Sequence, residues 1–203
     1  MIEELRLTRL PDFFDCCIGF WHDEPDGCAK AGADLNPLAL ELCRKNYLLW
    51  HEEDKARRTD VDDGVIASVK RKIDVLNQQR NDLIERLDEQ IASWLGSKDI
   101  PDQSEDFNSE TPGSIVDRIS ILTLKIYHMH EDTMRTDITQ EHRERSRQRL
   151  DTLRAQRSDL FFALERLLCD YLAGRKKMKI YRQFKMYNDP TLNPELYGKG
   201  TKG

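Results

Sequence analysis

One stretch of this chain is written twice, and no other feature constrains the fold as tightly. Residues 47–95, moved 77 positions along without a gap, fall on residues 124–172, and twelve of the 49 aligned positions are identical. Arg58-Thr59-Asp60-Val61 returns as Arg135-Thr136-Asp137-Ile138, and His51-x-x-Asp54 returns as His128-x-x-Glu131. Asp74-x-Leu76-x-x-Gln79-Arg80-x-Asp82-Leu83 returns as Asp151-x-Leu153-x-x-Gln156-Arg157-x-Asp159-Leu160. In each copy, apolar residues recur at steps of three and four on both sides of a polar turn, the pattern of two helices joined by a short connection. A helix with one apolar face has to bury it, and two such hairpins do so most simply as an antiparallel four-helix bundle. The expected fold is all-α: two duplicated hairpins related by a pseudo-twofold that carries residue n to n+77, with a short N-terminal helix and an irregular C-terminal arm.

The expected divisions of this single helical domain are 1–35 for the N-terminal helix and loop, 36–95 for the first hairpin, 96–114 for an acidic linker, 115–174 for the second hairpin, and 175–203 for a basic aromatic arm. Leu10, Phe13, Phe14, Cys17, Ile18 and Trp21 make one apolar face, with Pro11 at a helix start. His22, beside Trp21, reads as a packing or capping residue. Asn36-Pro37 opens the next helix with a cap residue and proline at the first helical position. After the turn at 59–64 a helix of roughly 30 residues, or ~45 Å, is predicted to run to Leu95. Its seam is Ile73, Leu76, Arg80, Leu83, Leu87, Gln90 and Trp94, and the second copy's is Leu150, Leu153, Arg157, Leu160, Leu164, Leu167 and Tyr171. One arginine interrupts each seam, at equivalent places.

Charge bears on partners. The net charge is −5, but residues 175–203 hold eight Lys/Arg and two Asp/Glu, which puts +6 on the arm and −11 on the rest. An acidic body argues against general nucleic-acid binding and leaves the basic arm as its one candidate surface. The apolar runs are too short for a membrane span, and the first residues, Met1-Ile2-Glu3-Glu4, lack the basic and apolar segments of a secretory leader. Five cysteines without a C-x-x-C pair fit reduced thiols, so the expected location is the cytoplasm.

Three groups of residues carry candidate chemistry. A guanidinium in an apolar seam needs an anion, so Arg80 and Arg157 either form buried ion pairs, with Glu41 and Asp117 the nearest partners by register, or face a phosphate or carboxylate between the hairpins. Asn77, Gln79 and Gln156 would add polar contacts to such an anion site. His51 with Asp54 and His128 with Glu131 share helix faces, since residues three apart are neighbours. Asp74 and Asp151 lie about one turn away on the partner helices. Two histidines and four carboxylates at one level are the inventory of a carboxylate-rich metal bundle, so a divalent metal held by His51, Asp54, Asp74, His128, Glu131 and Asp151 competes with ordinary ion pairing there. In the arm, rigid turns at Asn188-Asp189-Pro190 and Asn193-Pro194 would aim Tyr187, Asn188 and Tyr197 at a cleft. No glycine-rich phosphate loop or serine nucleophile elbow is present.

Three separated motifs carry a resemblance. Asn46-x-x-Leu49-Trp50-His51-x-Glu53-Asp54-x-Ala56-Arg57, Lys72-Ile73-Asp74-x-Leu76-Asn77-Gln78-x-Arg80-Asn81-Asp82, and Lys185-Met186-Tyr187-Asn188-Asp189-Pro190-x-Leu192-Asn193-Pro194-x-Leu196-Tyr197 resemble the "domain of unknown function 4254" family over nearly the whole chain. The resemblance implies a bacterial cytosolic protein and carries no catalytic residue with it. Two functions stay open. One is a site between the hairpins for a small phosphorylated or sugar-nucleotide-like anion, with or without a divalent metal. The other is a non-catalytic interaction or structural bundle, a homo-oligomer included, whose polar repeats are packing ion pairs.

Overall fold

The computed structural model describes residues 2–27, 35–101, 104–184, 189 and 191–194. After a short 3-10 turn at Ile2–Leu5 come five α-helices: α1 (Leu10–Asp23), α2 (Pro37–Lys55), α3 (Asp63–Gly96), α4 (Pro112–Met134) and α5 (Gln140–Leu172). The described residues include no strand beyond one isolated parallel bridge between Phe107 and Lys177. The protein is an all-α helical bundle.

The local signals at helix starts act as expected. Asn36 accepts hydrogen bonds from the backbone N–H of Leu38 (2.9 Å) and Ala39 (3.4 Å), and Asp62 accepts from Gly64 and Val65 to open α3. Thr111 and Thr139 cap α4 and α5. Each cap satisfies backbone donors that the first turn of a helix leaves without partners. Helix α4 begins at Pro112, a few residues inside the stretch read from sequence as linker.

α2 packs on α3 and α4 on α5, as hairpins should, and α2 and α3 both pack on α4. α1 lies against α4 and also touches α2 and α5. The core it completes runs through Leu10, Phe14, Ile18, Leu42, Leu87 and Ile119. A second, smaller cluster of Leu49, Val69 and Ile73 closes the turn end of the first hairpin. The α3 seam departs from the sequence reading beyond Leu87, where the buried residues are Asp88, Ile91 and Leu95 and Gln90 is exposed. The cause is helical pitch. A straight helix drifts about 20° per heptad from a strict three-four repeat, so a long helix rotates a different stripe into the core.

The segment from Arg175 to Phe184 packs back on the body. Lys177 N–H donates to the Asp106 carbonyl at 2.7 Å, Arg182 pairs with Glu85 (3.2 Å) and Glu89 (2.6 Å), and Lys179 sits over the Phe107 ring. Within the described residues, no helix is long and apolar enough to cross a membrane.

Candidate metal centre

Three histidines from three helices meet at one level of the bundle: His22 near the end of α1, His51 in α2 and His128 in α4. Their ring centroids are 5.2 Å (His22–His51), 4.9 Å (His22–His128) and 5.8 Å (His51–His128) apart. One ring nitrogen from each lies within 4.8 Å of the other two. His51 and His128 are a repeat pair, offset by 77, so the duplication itself brings them together across the α2–α4 contact. His22 has no counterpart in the repeat and enters with α1.

The orientation of two of the rings is fixed from outside. His22 Nδ1 is 2.8 Å from the Ile18 carbonyl, one turn back on α1, and His128 Nδ1 is 2.9 Å from Glu131 Oε2. With Nδ1 engaged in these two rings, Nε2 is the nitrogen each has left for anything between the rings. Nε2 of His22, His51 and His128 is buried, and none has a hydrogen-bond partner among the described residues. Aromatic rings form the walls. Tyr127 stacks on His22 (3.9 Å, 17°), Trp50 stacks on His128 (4.8 Å, 11°), and Tyr47 stands edge-on to His22 and His51 while its hydroxyl donates to the Trp21 carbonyl at 2.7 Å.

Burial disfavours the charged form of two of the rings, His22 and His51. Burial lowers the pKa of His22, opposed by the Ile18 carbonyl and assisted by His128, and burial followed by the neighbouring His22 and His128 lowers that of His51. Neutral imidazole is the form that binds metal. A metal–nitrogen distance of about 2.0–2.1 Å is typical of zinc, whereas three atoms 4.8 Å apart lie about 2.8 Å from their common centre. Each ring would therefore move by less than about 1 Å to close on one ion. The Nδ1 partners are those that orient ligating histidines, a backbone carbonyl on one ring and a carboxylate on another.

The other residues expected at this level fall elsewhere. Glu131 reaches the cluster through His128, while Asp54, Asp74 and Asp151 are exposed and Asp151 pairs with Arg154 at 3.7 Å. Asp74 follows the buried Ile73 and Asp151 follows the buried Leu150, and one residue along a helix is a turn of 100° away from the core. Of the residues expected to hold a metal, only His51 and His128 have ring nitrogens that come together, and they are joined by one that the sequence assigned to packing or capping, His22. The signal that would have found it is its position one residue after the buried Trp21, on the margin of the α1 apolar face.

Both seam arginines are met by internal carboxylates. Arg80 Nε lies 3.7 Å from Asp117 Oδ1 on α4, and Asp117 also accepts from Asn46 Nδ2 at 2.8 Å. Burial raises the Asp117 pKa, against the opposing pull of Arg80 and Asn46. Arg157 pairs with Asp15 of α1 at 2.6 Å and donates to Thr123 at 3.3 Å. Asp117 was the expected partner of Arg157; it serves Arg80 because α3 packs on α4. Asn77 is half-buried, and Gln79 and Gln156 are exposed, each lining a surface groove. Tyr187, Asn188 and Tyr197 lie outside the described residues.

A family model described as a protein of unknown function (DUF4254) matches residues 36–180. Neither the curated proteins nor the solved structures yield a match to this chain.

Proposed function

The chain belongs to the DUF4254 family, whose description assigns no activity, and from the geometry of its own residues we propose that it is a metal-binding helical bundle with a three-histidine centre at His22, His51 and His128. One observation carries this reading. The Nε2 atoms of all three rings are buried without partners, and one ring nitrogen from each histidine lies within 4.8 Å of the other two, in a bundle where the Nδ1 atoms of two of those rings are tied back to Ile18 and Glu131. A buried polar atom without a partner costs about 1–3 kcal/mol, and three in one place are accounted for if an ion binds them together. Three imidazoles suit late first-row divalent metals, and three protein ligands leave a position for water or for an oxygen of a small ligand.

The arginine level has a different reading. Arg80–Asp117 and Arg157–Asp15 are ion pairs that set helix register, so the structural role weighed for the polar repeats is favoured there. The small-anion function is therefore attached to the histidine level and not to Arg80 and Arg157.

The test is elemental analysis and titration calorimetry on untagged protein, stripped of metal and reloaded with Zn²⁺. About one equivalent per chain is expected, falling below a tenth of an equivalent in His22→Ala, His51→Ala and His128→Ala. Unchanged stoichiometry in all three variants would refute the centre.

A further inference from the structure

The duplication supplies an internal control for reading surface grooves. A groove of about 480 Å³ runs between α2 and α3, and one of about 600 Å³ runs between α4 and α5. All eight residues lining the first, shifted by 77, line the second. The two are the same furrow, inherited with the hairpin, so whatever differs between them marks where the copies have diverged. Leu76 and Gln79 persist as Leu153 and Gln156. Lys125 stands where the first groove has Leu48 and Arg145 where it has Ser68, Lys72 is matched by Arg149, and Arg71 by the uncharged Gln148.

The α4–α5 groove also gains a wall from outside its own hairpin. Trp50 of α2 lines it, stacked on His128, which lines it too. Its one lining carboxylate, Asp132, is already occupied by Ser146 (2.6 Å), His142 (2.8 Å) and Arg135 (3.2 Å). Lys125, Arg145 and Arg149 have no ion-pair or hydrogen-bond partner among the described residues. The result is an apolar floor with one flat aromatic wall, rimmed by three cations without counter-ions, in a cleft whose volume suits a small organic ligand.

We propose that the α4–α5 groove binds a small organic phosphate bearing a planar ring, the ring against Trp50 and the phosphate between Lys125, Arg145 and Arg149. Guanidinium forks match phosphate oxygens in pairs, and the indole face offers a stacking surface. The groove shares His128 with the metal centre, yet its binding does not depend on a metal. The two proposals therefore fail separately.

Calorimetry with metal-free full-length chain tests it, using phenyl phosphate, inorganic phosphate and phenol as probes. Phenyl phosphate is expected to bind at least tenfold tighter than either fragment. The Arg145→Gln/Arg149→Gln variant should lose at least tenfold of that affinity, and Thr152→Trp, which fills the groove from an exposed position, should abolish binding. Val75→Trp, the equivalent change in the sister groove, should leave it unchanged; a circular-dichroism melt checks that all variants fold. Binding of phenyl phosphate no tighter than inorganic phosphate overturns the proposal, as does equal loss from Val75→Trp and Thr152→Trp.

Discussion

Replacing His22 with phenylalanine should change the sign of its effect when metal is added. Phenylalanine keeps the ring stacked on Tyr127 at 3.9 Å and removes a buried Nε2 that has no partner. Leaving such an atom buried costs about 1–3 kcal/mol, while the lost Nδ1 contact to the Ile18 carbonyl at 2.8 Å was contributing about 0.5–1.5 kcal/mol. Without metal, His22→Phe is therefore expected to raise stability by about 1 kcal/mol. With an ion present at a thousandfold over its dissociation constant, wild type gains about 4 kcal/mol by mass action. The variant, left with His51 and His128, gains far less. The order of stabilities then inverts, with wild type ahead by about 3 kcal/mol. Urea unfolding followed by circular dichroism, once in EDTA and once in excess Zn²⁺, measures both differences. If His22→Phe is destabilising in EDTA, or gains as much from Zn²⁺ as wild type, the histidines are a packed aromatic cluster and not a metal centre.

Other residues give sharper signs than sizes. Asp88 is buried, accepts from Gly113 N–H at 2.7 Å, and is pushed up to about 6 by burial. A carboxyl with a raised pKa destabilises the fold once it ionises, so the stability advantage of Asp88→Asn over wild type should grow by about 2 kcal/mol between pH 4 and pH 7; a difference that stays flat in urea titrations refutes this. Gly113→Ala normally would favour a helix, but its Cβ would meet the Ile84 carbonyl at 2.6 Å, and we expect a loss of about 1–3 kcal/mol in thermal unfolding. Arg80→Leu should cost about 3 kcal/mol by leaving Asp117 without its countercharge, and Arg80→Leu/Asp117→Leu should recover most of it in a double-mutant cycle. Finally, the lowered pKa values of His22 and His51 mean that the metal-free fold loses stability as pH falls below about 6.5, a loss that His22→Phe should reduce.

Much of the architecture was legible because helices announce themselves locally. Asn36-Pro37 and the aspartates before α3 are backbone chemistry, and their spacing marks a start whatever packs outside. The three-four repeats marked buried faces correctly near the middle of each helix. They failed at the far end of α3, where Asp88 and Ile91 are buried and Gln90 is not, because seam reading assumes a pitch that a long straight helix does not keep. Asp88 was invisible for a second reason. Its burial depends on the close approach of Gly113, a contact 25 residues away in sequence that no periodicity encodes.

The site was legible only in the part that the repeat encodes. Self-similarity predicts that His51 and His128 are equivalent, and equivalence across an α2–α4 contact is enough to make them neighbours. It also predicts that what answers Arg80 should answer Arg157, and here the prediction breaks. Asp117, which meets Arg80, corresponds to position 40, a leucine, so the first copy has no carboxylate to offer Arg157 in return. α1 supplies one as Asp15, and seven residues later, two turns along the same helix, it supplies His22. A helix outside the repeat thus repairs the one pairing that the duplication left incomplete. In doing so it turns a symmetric pair of imidazoles into a set of three. Two histidines related by a twofold make a weak and open site; the third, brought by the helix that breaks the symmetry, is what gives the cluster the donor count of a metal centre with one position left over.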